Sequence, residues 1–195
     1  MTANEQTSRR LTDVPASASA PAPASASAGE RADLLESLAH HRRLLRLTTR
    51  DLTDEQAGRR TTASELCLGG IIKHVTEVER VWAAFIVEGS ASMTDFAELT
   101  EEERARWADE FRMLPGETLA GVLDDYSEAA RRTDELIAAL PDLDAAHPLP
   151  EAPWFEPGAR WSARRAVLHI VGETAQHAGH ADIIRESLDG ATSMS

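Results

Sequence analysis

The sequence predicts an all-α protein, a four-helix bundle preceded by a disordered tail. Four long segments repeat apolar residues at intervals of three and four, which is the spacing of one face of an α-helix. No segment shows the convincing alternation of apolar and polar residues that marks a half-buried strand. Such helices bury their apolar faces by packing against one another, so we expect a single bundle.

The predicted tail comprises residues 1–29, and the predicted domain comprises residues 30–195. Residues 15–28 are Pro, Ala and Ser only. A run of this kind has no large apolar side chain whose burial would offset the entropy of ordering the backbone. The rest of the 195-residue chain is long enough to bury a core.

The four helices follow in order, each with its terminal signals. Ser64 and Ser162 are the expected N-caps of the second and fourth helices, because a serine hydroxyl accepts a hydrogen bond from the first turn. Pro141 ends the third helix, and Gly190 ends the fourth. The predicted spans are about Arg31 to Leu52, Glu65 to Val87, Glu117 to Leu140, and Ser162 to Gly190.

Two connections carry further signals. Between the second and third helices, Thr100 followed by Glu103 has the form of a capping box, so a short helix is expected there. Between the third and fourth lies a long Pro-rich loop, residues 141–161. Loops of that length in a compact domain are often functional. We therefore expect Trp154 or Phe155 to help cover a site.

Composition excludes several classes of function. The chain has 20 Lys and Arg against 33 Asp and Glu, a net charge of −13, which disfavours nucleic acid and anionic membrane surfaces as partners. A single cysteine, Cys67, excludes an internal disulfide framework and is expected to be a small buried residue. No segment reaches the ~20 apolar residues of a membrane span, so we expect a cytoplasmic protein.

One histidine of the second helix shares a face with apolar residues. Positions 67, 71, 74, 78 and 85 fall on one side at helical spacing, and they are Cys67, Ile71, His74, Val78 and Phe85. His74 therefore points where the apolar residues point. Taken alone, a histidine in such a place is usually a structural core residue.

The fourth helix strengthens the case for a metal site. Its apolar face includes Ala166, Ile170 and Ile184, and the same series runs through Glu173 and His177. A carboxylate and an imidazole on a core face are costly unless something pairs them. Side chains at i and i+4 can both reach one ion, and His74 would complete the three-ligand set of an open catalytic site.

Other interpretations of these residues stay open at this point. Glu173 and His177 could form a buried hydrogen-bonded pair without a metal, or the helical phase could be off by one residue so that the pair faces solvent. His169 and His180, one turn to either side, could each be a fourth ligand; we prefer that they orient a ligand, because they lie at the rim of the face.

At these residues the chain resembles the DinB-like metalloprotein superfamily. The resemblance covers about residues 31–190 and is carried by two segments, L-G-G-I-I-K-H-V-T-E-V-E-R-V-W and W-S-A-R-R-A-V-L-H-I-V-G-E-T-A-Q-H-A-G-H-A-D-I-I-R-E. The second is similar to the form found in the mycothiol-transferase-like subgroup, which is related to mycothiol-dependent maleylpyruvate isomerase.

The resemblance implies an up-down-down-up bundle, commonly a homodimer, with one divalent metal. Carried over position by position, the implied ligands are His74, Glu173 and His177, with Glu173 standing where many members have a histidine. The residues do not distinguish Zn, Ni or Fe, since a His/Glu set suits all three.

The leading functional hypothesis is a metal-dependent S-transferase that uses a low-molecular-weight thiol of the mycothiol type. The metal would hold the thiol sulfur as a thiolate, the nucleophile that attacks a small electrophile. Two alternatives remain: a metal-dependent hydrolase, and a non-catalytic metal-binding or stress-linked bundle protein. The three-ligand site favours catalysis, whereas a fourth protein ligand would favour structure.

Overall fold

The computed structural model describes residues 23–93 and 100–194. Four long helices dominate these ranges and correspond to the four predicted ones; two short helices, a 3₁₀ turn at Gly89–Ser92 and two short strands connect them. The bounds are α1 Pro23–Leu47, α2 Asp54–Ala57, α3 Leu68–Glu88, α4 Glu101–Asp109, α5 Leu119–Ala139, β1 Ala146–Pro148, β2 Arg160–Ser162 and α6 Ala163–Asp189.

The long helices form an up-down-down-up bundle, as expected. Helix α6 lies between α1 and α3, and α3 lies between α6 and α5. Arg164 at the start of α6 pairs with Glu30 in the N-terminal half of α1, and Arg185 near its end donates to the Thr48 carbonyl just after α1. The first and last helices are therefore parallel. Helices α3 and α5 are also parallel, because Lys73 near the start of α3 pairs with Glu117 just before α5.

Polar side chains form a layer across the middle of the bundle. On one side of it lies an apolar cluster that includes Leu38, Phe85 and Ile170, and on the other lies one that includes Ile71 and Tyr126. The buried polar residues between the clusters are Arg42, Thr76, Glu79, Thr133, Thr174 and His177. Buried polar groups require partners, so this layer is where chemistry or structural pairing is expected.

The ends of the helices follow their capping residues. Ser162 caps α6, accepting from the Arg165 N–H, and Gly190 ends it in the left-handed conformation, both as predicted. Helix α3 starts three residues later than predicted. Cys67 rather than Ser64 is its N-cap, with the Sγ accepting from the Gly70 N–H at 3.4 Å. Cys67 is buried, in agreement with the expected role.

Helix α1 differs from its prediction at both ends. It begins at Pro23, within the Pro/Ala/Ser run assigned to the tail, and ends at Leu47 rather than Leu52. At its C-terminal end the hydroxyls of Thr48 and Thr49 donate back to the Leu45 and Arg46 carbonyls and complete a turn. The predicted tail from residue 1 to residue 22 lies outside the described residues.

The expectation of no strand was wrong for one short pair. β1 and β2 pair antiparallel, with His147 opposite Trp161. Each strand has only three residues, too few for a period of two to be recognised. Helix α2 was missed for the same reason of length, although Thr53 and Gln56 form a capping box at its start. Helix α4 begins after Thr100, as predicted.

Candidate metal centre

The three predicted ligands meet between α3 and α6. His74 comes from α3, and Glu173 and His177 come from α6. One nitrogen or oxygen from each residue lies within 4.8 Å of the corresponding atoms of the other two, and among the described residues this is the one such group. The antiparallel packing of α3 against α6 brings the residues together across about a hundred positions of sequence.

The distances within the group are close to those that a shared ion requires. His177 Nε2 lies 3.6 Å from Glu173 Oε2, and the rings of His74 and His177 are 4.8 Å apart at 70°. Two ligand atoms, each about 2.1 Å from a tetrahedral ion, are about 3.4 Å apart. The Glu173–His177 distance is thus close to that geometry, and the donor atoms of all three residues lie within 4.8 Å of one another.

Glu173 lies at the edge of the core face, where it remains accessible. The fully buried position is Thr174, and the Glu173 side chain is 26% exposed while that of His177 is 10% exposed. The predicted phase was therefore one residue off for Glu173, although the i, i+4 contact with His177 persists. The group is partly open, which a catalytic site requires.

The electrostatics favour an ionised carboxylate in this group. The adjoining His177 ring, together with His169 and His74, holds the pKa of Glu173 below its ordinary value, against the opposing effect of burial. Burial lowers the pKa of His169, which favours its neutral form. A negative oxygen thus lies beside imidazole nitrogens, the donor set that Zn and similar divalent ions prefer.

Unpaired nitrogen atoms also favour a ligand at this place. The Nδ1 atoms of His74, His177 and His180 are buried and form no hydrogen bond among the described residues. Such groups carry a desolvation cost unless a partner or a ligand satisfies them. The fit of a divalent ion rests on the donor set itself, one carboxylate and two imidazoles, and the buried Nδ1 atoms are further polar groups that a partner would satisfy.

His169 and His180 occupy different surroundings. His169 Nε2 lies 3.7 Å from Glu173 Oε1, on the far side of that carboxylate from His177. Its ring packs edge-on against Trp82 and Trp161, at 4.6 and 5.2 Å. His180 contacts the His177 ring at 5.3 Å. Neither joins the group of three.

The Pro-rich loop reaches the site through Trp161. This ring stacks on Trp82 at 4.7 Å and also contacts His169, while Phe155 packs edge-on against Trp161. Phe155 thus packs on the Trp82–Trp161 stack, and Trp154 is 58% exposed. That either residue covers the site stays a prediction.

Two residues near His74 were missed by the sequence analysis. Glu110 Oε2 lies 3.5 Å from His74 Nδ1, and the Phe111 ring stacks on His74 at 4.3 Å and 27°. Both follow α4, and no periodicity connects them to His74. One usable signal was the Gly69–Gly70 pair at the start of α3, since glycine in a helix often marks a close backbone approach.

A cleft of about 620 Å³ opens between α3, α5 and the segment after α4. Glu110 lines it as well as facing His74, so the cleft adjoins the group. Its lining holds two basic side chains, Lys73 and Arg80, and a larger set of acidic ones, Glu77, Asp109, Glu110, Glu117, Asp124 and Asp125.

The remaining histidines lie elsewhere. His40 and His41 are neighbours on α1, with His40 exposed and His41 partly buried. His147 lies on β1 against Phe85. None of the three takes part in the group.

An all-α bundle with a His/Glu/His group between two antiparallel helices defines a class of candidate metalloproteins. Within that class the family can be stated: the model of the mycothiol-S-transferase family matches residues 33–190, and the chain belongs to this family. The resemblance carried by the two helix segments is thereby confirmed. No protein of curated function matches the chain.

A solved structure supports the fold. The chain is similar to a conserved protein from Enterococcus faecalis, with a TM-score of 0.58 and 12% identity over 81% of this chain and 96% of that one. At this identity the likeness concerns the bundle alone. Within the described ranges no helix combines the length and the apolar character needed to cross a membrane.

Proposed function

We propose that the protein is a metal-dependent S-transferase that joins a mycothiol-type thiol to small electrophiles. The observation that carries the proposal is the convergence of His74, Glu173 and His177 in a chain of the mycothiol-S-transferase family. The family associates the chain with mycothiol-dependent transfer, and the group supplies a place for the ion that such chemistry would use.

His74, Glu173 and His177 would hold the ion, which leaves at least one coordination position open. A divalent ion held there would lower the pKa of a coordinated thiol, so that the sulfur would be present as the nucleophilic thiolate at neutral pH. Metal analysis of the purified protein would identify which of Zn, Ni and Fe is the native ion.

Side chains around the group would keep its geometry during the reaction. The ionised Glu173 places a negative charge between His169 and His177 and so holds both rings in place. The stacked Trp82 and Trp161 pack against His169 and so lie on the Glu173 side of the group. The thiolate sulfur would form a C–S bond to the electrophilic carbon as the bond from that carbon to its leaving group breaks. The electron pair of the broken bond would go with the leaving group, and the thiol proton would go to solvent.

His169 and His180 support ligands in this proposal. His169 faces the second oxygen of Glu173, and His180 packs on the ring of His177. Groups that orient ligands in this way typically change metal affinity roughly 10- to 100-fold when they are removed.

The test is thiol consumption with model electrophiles by the metal-loaded protein. We expect turnover that depends on added mycothiol and is lost in His177→Ala, with His147→Ala as a matched histidine control outside the group. Hydrolysis of an ester substrate without thiol would favour the hydrolase instead. Full metal occupancy without either reaction would favour the non-catalytic alternative.

A further inference from the structure

The segment that follows α4 packs directly on the start of α3, where Gly70 leaves room for its backbone. A Cβ atom at Gly70 would lie 2.0 Å from the Phe111 carbonyl oxygen and 2.7 Å from the Arg112 nitrogen. These are backbone atoms, so they cannot move aside as a side chain can. Only glycine at residue 70 allows the backbone of residues 111–112 to lie directly on α3.

Lys73 of α3 also attaches the same segment to the helix, through hydrogen bonds and an ion pair. Lys73 Nζ donates to the carbonyls of Asp109 and Arg112, at 3.2 and 3.0 Å, and contacts both Glu117 carboxylate oxygens at 2.8 Å. Glu117 in turn accepts from the Leu114 N–H at 2.7 Å. Lys73 is the single lysine of the chain, and it joins α3 to both ends of residues 109–117.

This attachment presents two side chains to His74. Phe111 stacks on the imidazole face, and the Glu110 carboxylate lies 3.5 Å from Nδ1. The His74 side chain is 14% exposed and its Nδ1 is buried. Glu110 is thus the carboxylate next to an otherwise unpaired nitrogen.

We propose that Glu110 is a positioning residue for His74. Its carboxylate, 3.5 Å from Nδ1, is placed to accept an Nδ1–H and so to keep the proton on that nitrogen, which leaves Nε2 with a free lone pair for a metal ion. Which imidazole nitrogen carries the proton is set by the hydrogen bond that the ring makes, and a carboxylate behind a ligating histidine fixes the tautomer and the orientation of the ring. The role of Glu110 in metal binding rests on the metal site proposed above. The tautomer that Glu110 imposes on His74 does not depend on that site.

The first test measures the tautomer of His74 in the metal-free protein. Isotope-labelled histidine, observed by NMR at a pH at which imidazoles are neutral, reports which nitrogen is protonated. We expect His74 to carry its proton on Nδ1 in the wild type and to become a mixture in Glu110→Ala. The same mixture in both proteins would overturn the proposal, whether or not the protein binds metal.

The second test measures Zn²⁺ affinity with Zn²⁺ as the only added ligand. Glu110→Ala should weaken binding roughly 10- to 100-fold, and Glu110→Gln should weaken it less, because an amide oxygen still accepts the Nδ1–H. Glu102→Ala, an exposed glutamate on α4, is the control and should change little. A loss in Glu110→Ala as severe as that in His74→Ala would make Glu110 a ligand and contradict the positioning role.

A pair of glycine variants tests the attachment. Gly70→Ala should weaken Zn²⁺ binding with Glu110 intact, because it displaces residues 111–112. Gly69→Ala is the matched control. Its Cβ would come too close only to the end of the flexible Met113 side chain, and the Ala57 carbonyl oxygen, at 3.5 Å, would lie at an ordinary contact distance. Wild-type Zn²⁺ binding that none of these variants alters would refute the positioning role and leave the metal site standing. If the protein does not bind Zn²⁺ but His74 shows the expected tautomer, the positioning role stands and the metal site is refuted.

Discussion

Glu173 differs from the two histidines of the group in what keeps it ready to bind a cation. Its neighbouring imidazoles lower its pKa, so the carboxylate stays ionised well below neutral pH. The histidines must instead be neutral to coordinate a metal. The charge of Glu173 is therefore constant over the pH range in which metal binding is measured.

The pH dependence of metal binding follows from this difference. We expect affinity to fall as pH is lowered from about 8 to about 6, as the imidazoles take up protons. Glu173→Gln should weaken binding by the same factor at both pH values, because the wild-type carboxylate is ionised at each. Titration calorimetry across this range measures both effects. A penalty that vanishes at the lower pH would show that Glu173 is already protonated there.

His169 allows a near-isosteric substitution. His169→Phe keeps a ring between Trp82 and Trp161 but removes the nitrogen that faces Glu173. Metal affinity should fall roughly 10-fold or more, with the thermal midpoint nearly unchanged. His40→Phe, on the exposed face of α1, is the control. Unchanged affinity in His169→Phe would reduce His169 to a packing residue.

Helical spacing was enough to predict that His74, Glu173 and His177 lie together, because all three are on two long helices. A period of 3.6 residues relates Glu173 to His177 directly, and His74 needed only to face inward. Glu110 and Phe111 could not be found in this way. They reach His74 through a tight backbone contact at Gly70, and contacts of that kind depend on how a loop folds back on a helix.

At the scale of whole elements, a buried ion pair joins three helices. Arg42 on α1 contacts both carboxylate oxygens of Glu79 on α3, at 2.8 and 2.6 Å, and donates to Asp134 on α5 at 2.7 Å. Glu79 is fully buried and Arg42 nearly so. An isolated charge in that place has no water to solvate it.

Breaking this pair should destabilise the bundle. Among the described residues, Glu79→Leu leaves the buried Arg42 paired only with the half-exposed Asp134. The substitution should therefore cost up to about 3–5 kcal/mol of unfolding free energy. Arg42→Met combined with Glu79→Leu should recover most of that loss. Urea denaturation measures both, with the exposed Arg131→Ala as a control that changes little. Additive losses in the double variant would contradict the pairing.

The elements themselves were predicted where they were long and clearly capped. Helix α6 matched because Ser162 and Gly190 are strong terminal signals, and α3 shifted because a cysteine took the capping position. The two strands and α2 were not predicted, because elements of three or four residues are too short to show a repeating pattern of apolar residues. Helix α1 extends to Pro23 because Ala-rich sequence has high helix propensity even without apolar residues to bury.

At the scale of the whole molecule, the net charge of −13 acts on charged reactants. A negative field slows the approach of anions, and salt screens it over about 10 Å at 0.1 M. The acidic cleft beside the group adds to this field. The dimer implied by the resemblance stays a prediction.

Thiol choice should therefore depend on salt. Added salt should raise kcat/KM for an anionic thiol such as mercaptosuccinate and leave that for the neutral 2-mercaptoethanol almost unchanged. Steady-state rates at a fixed electrophile concentration measure the difference, and each thiol serves as the other's control. Equal salt dependence for the two thiols would show that the field does not reach the reacting sulfur.

The central claim is that His74, Glu173 and His177 together hold one divalent ion, and the most direct test is metal stoichiometry across variants. Untagged protein should bind one ion per chain, with occupancy lost in each single alanine variant. Because a two-ligand site already binds weakly, a second substitution should cost little more. His147→Ala and Cys67→Ala should retain full occupancy. Full occupancy in a His74→Ala, His177→Ala double variant would contradict the site and the transfer chemistry that depends on it.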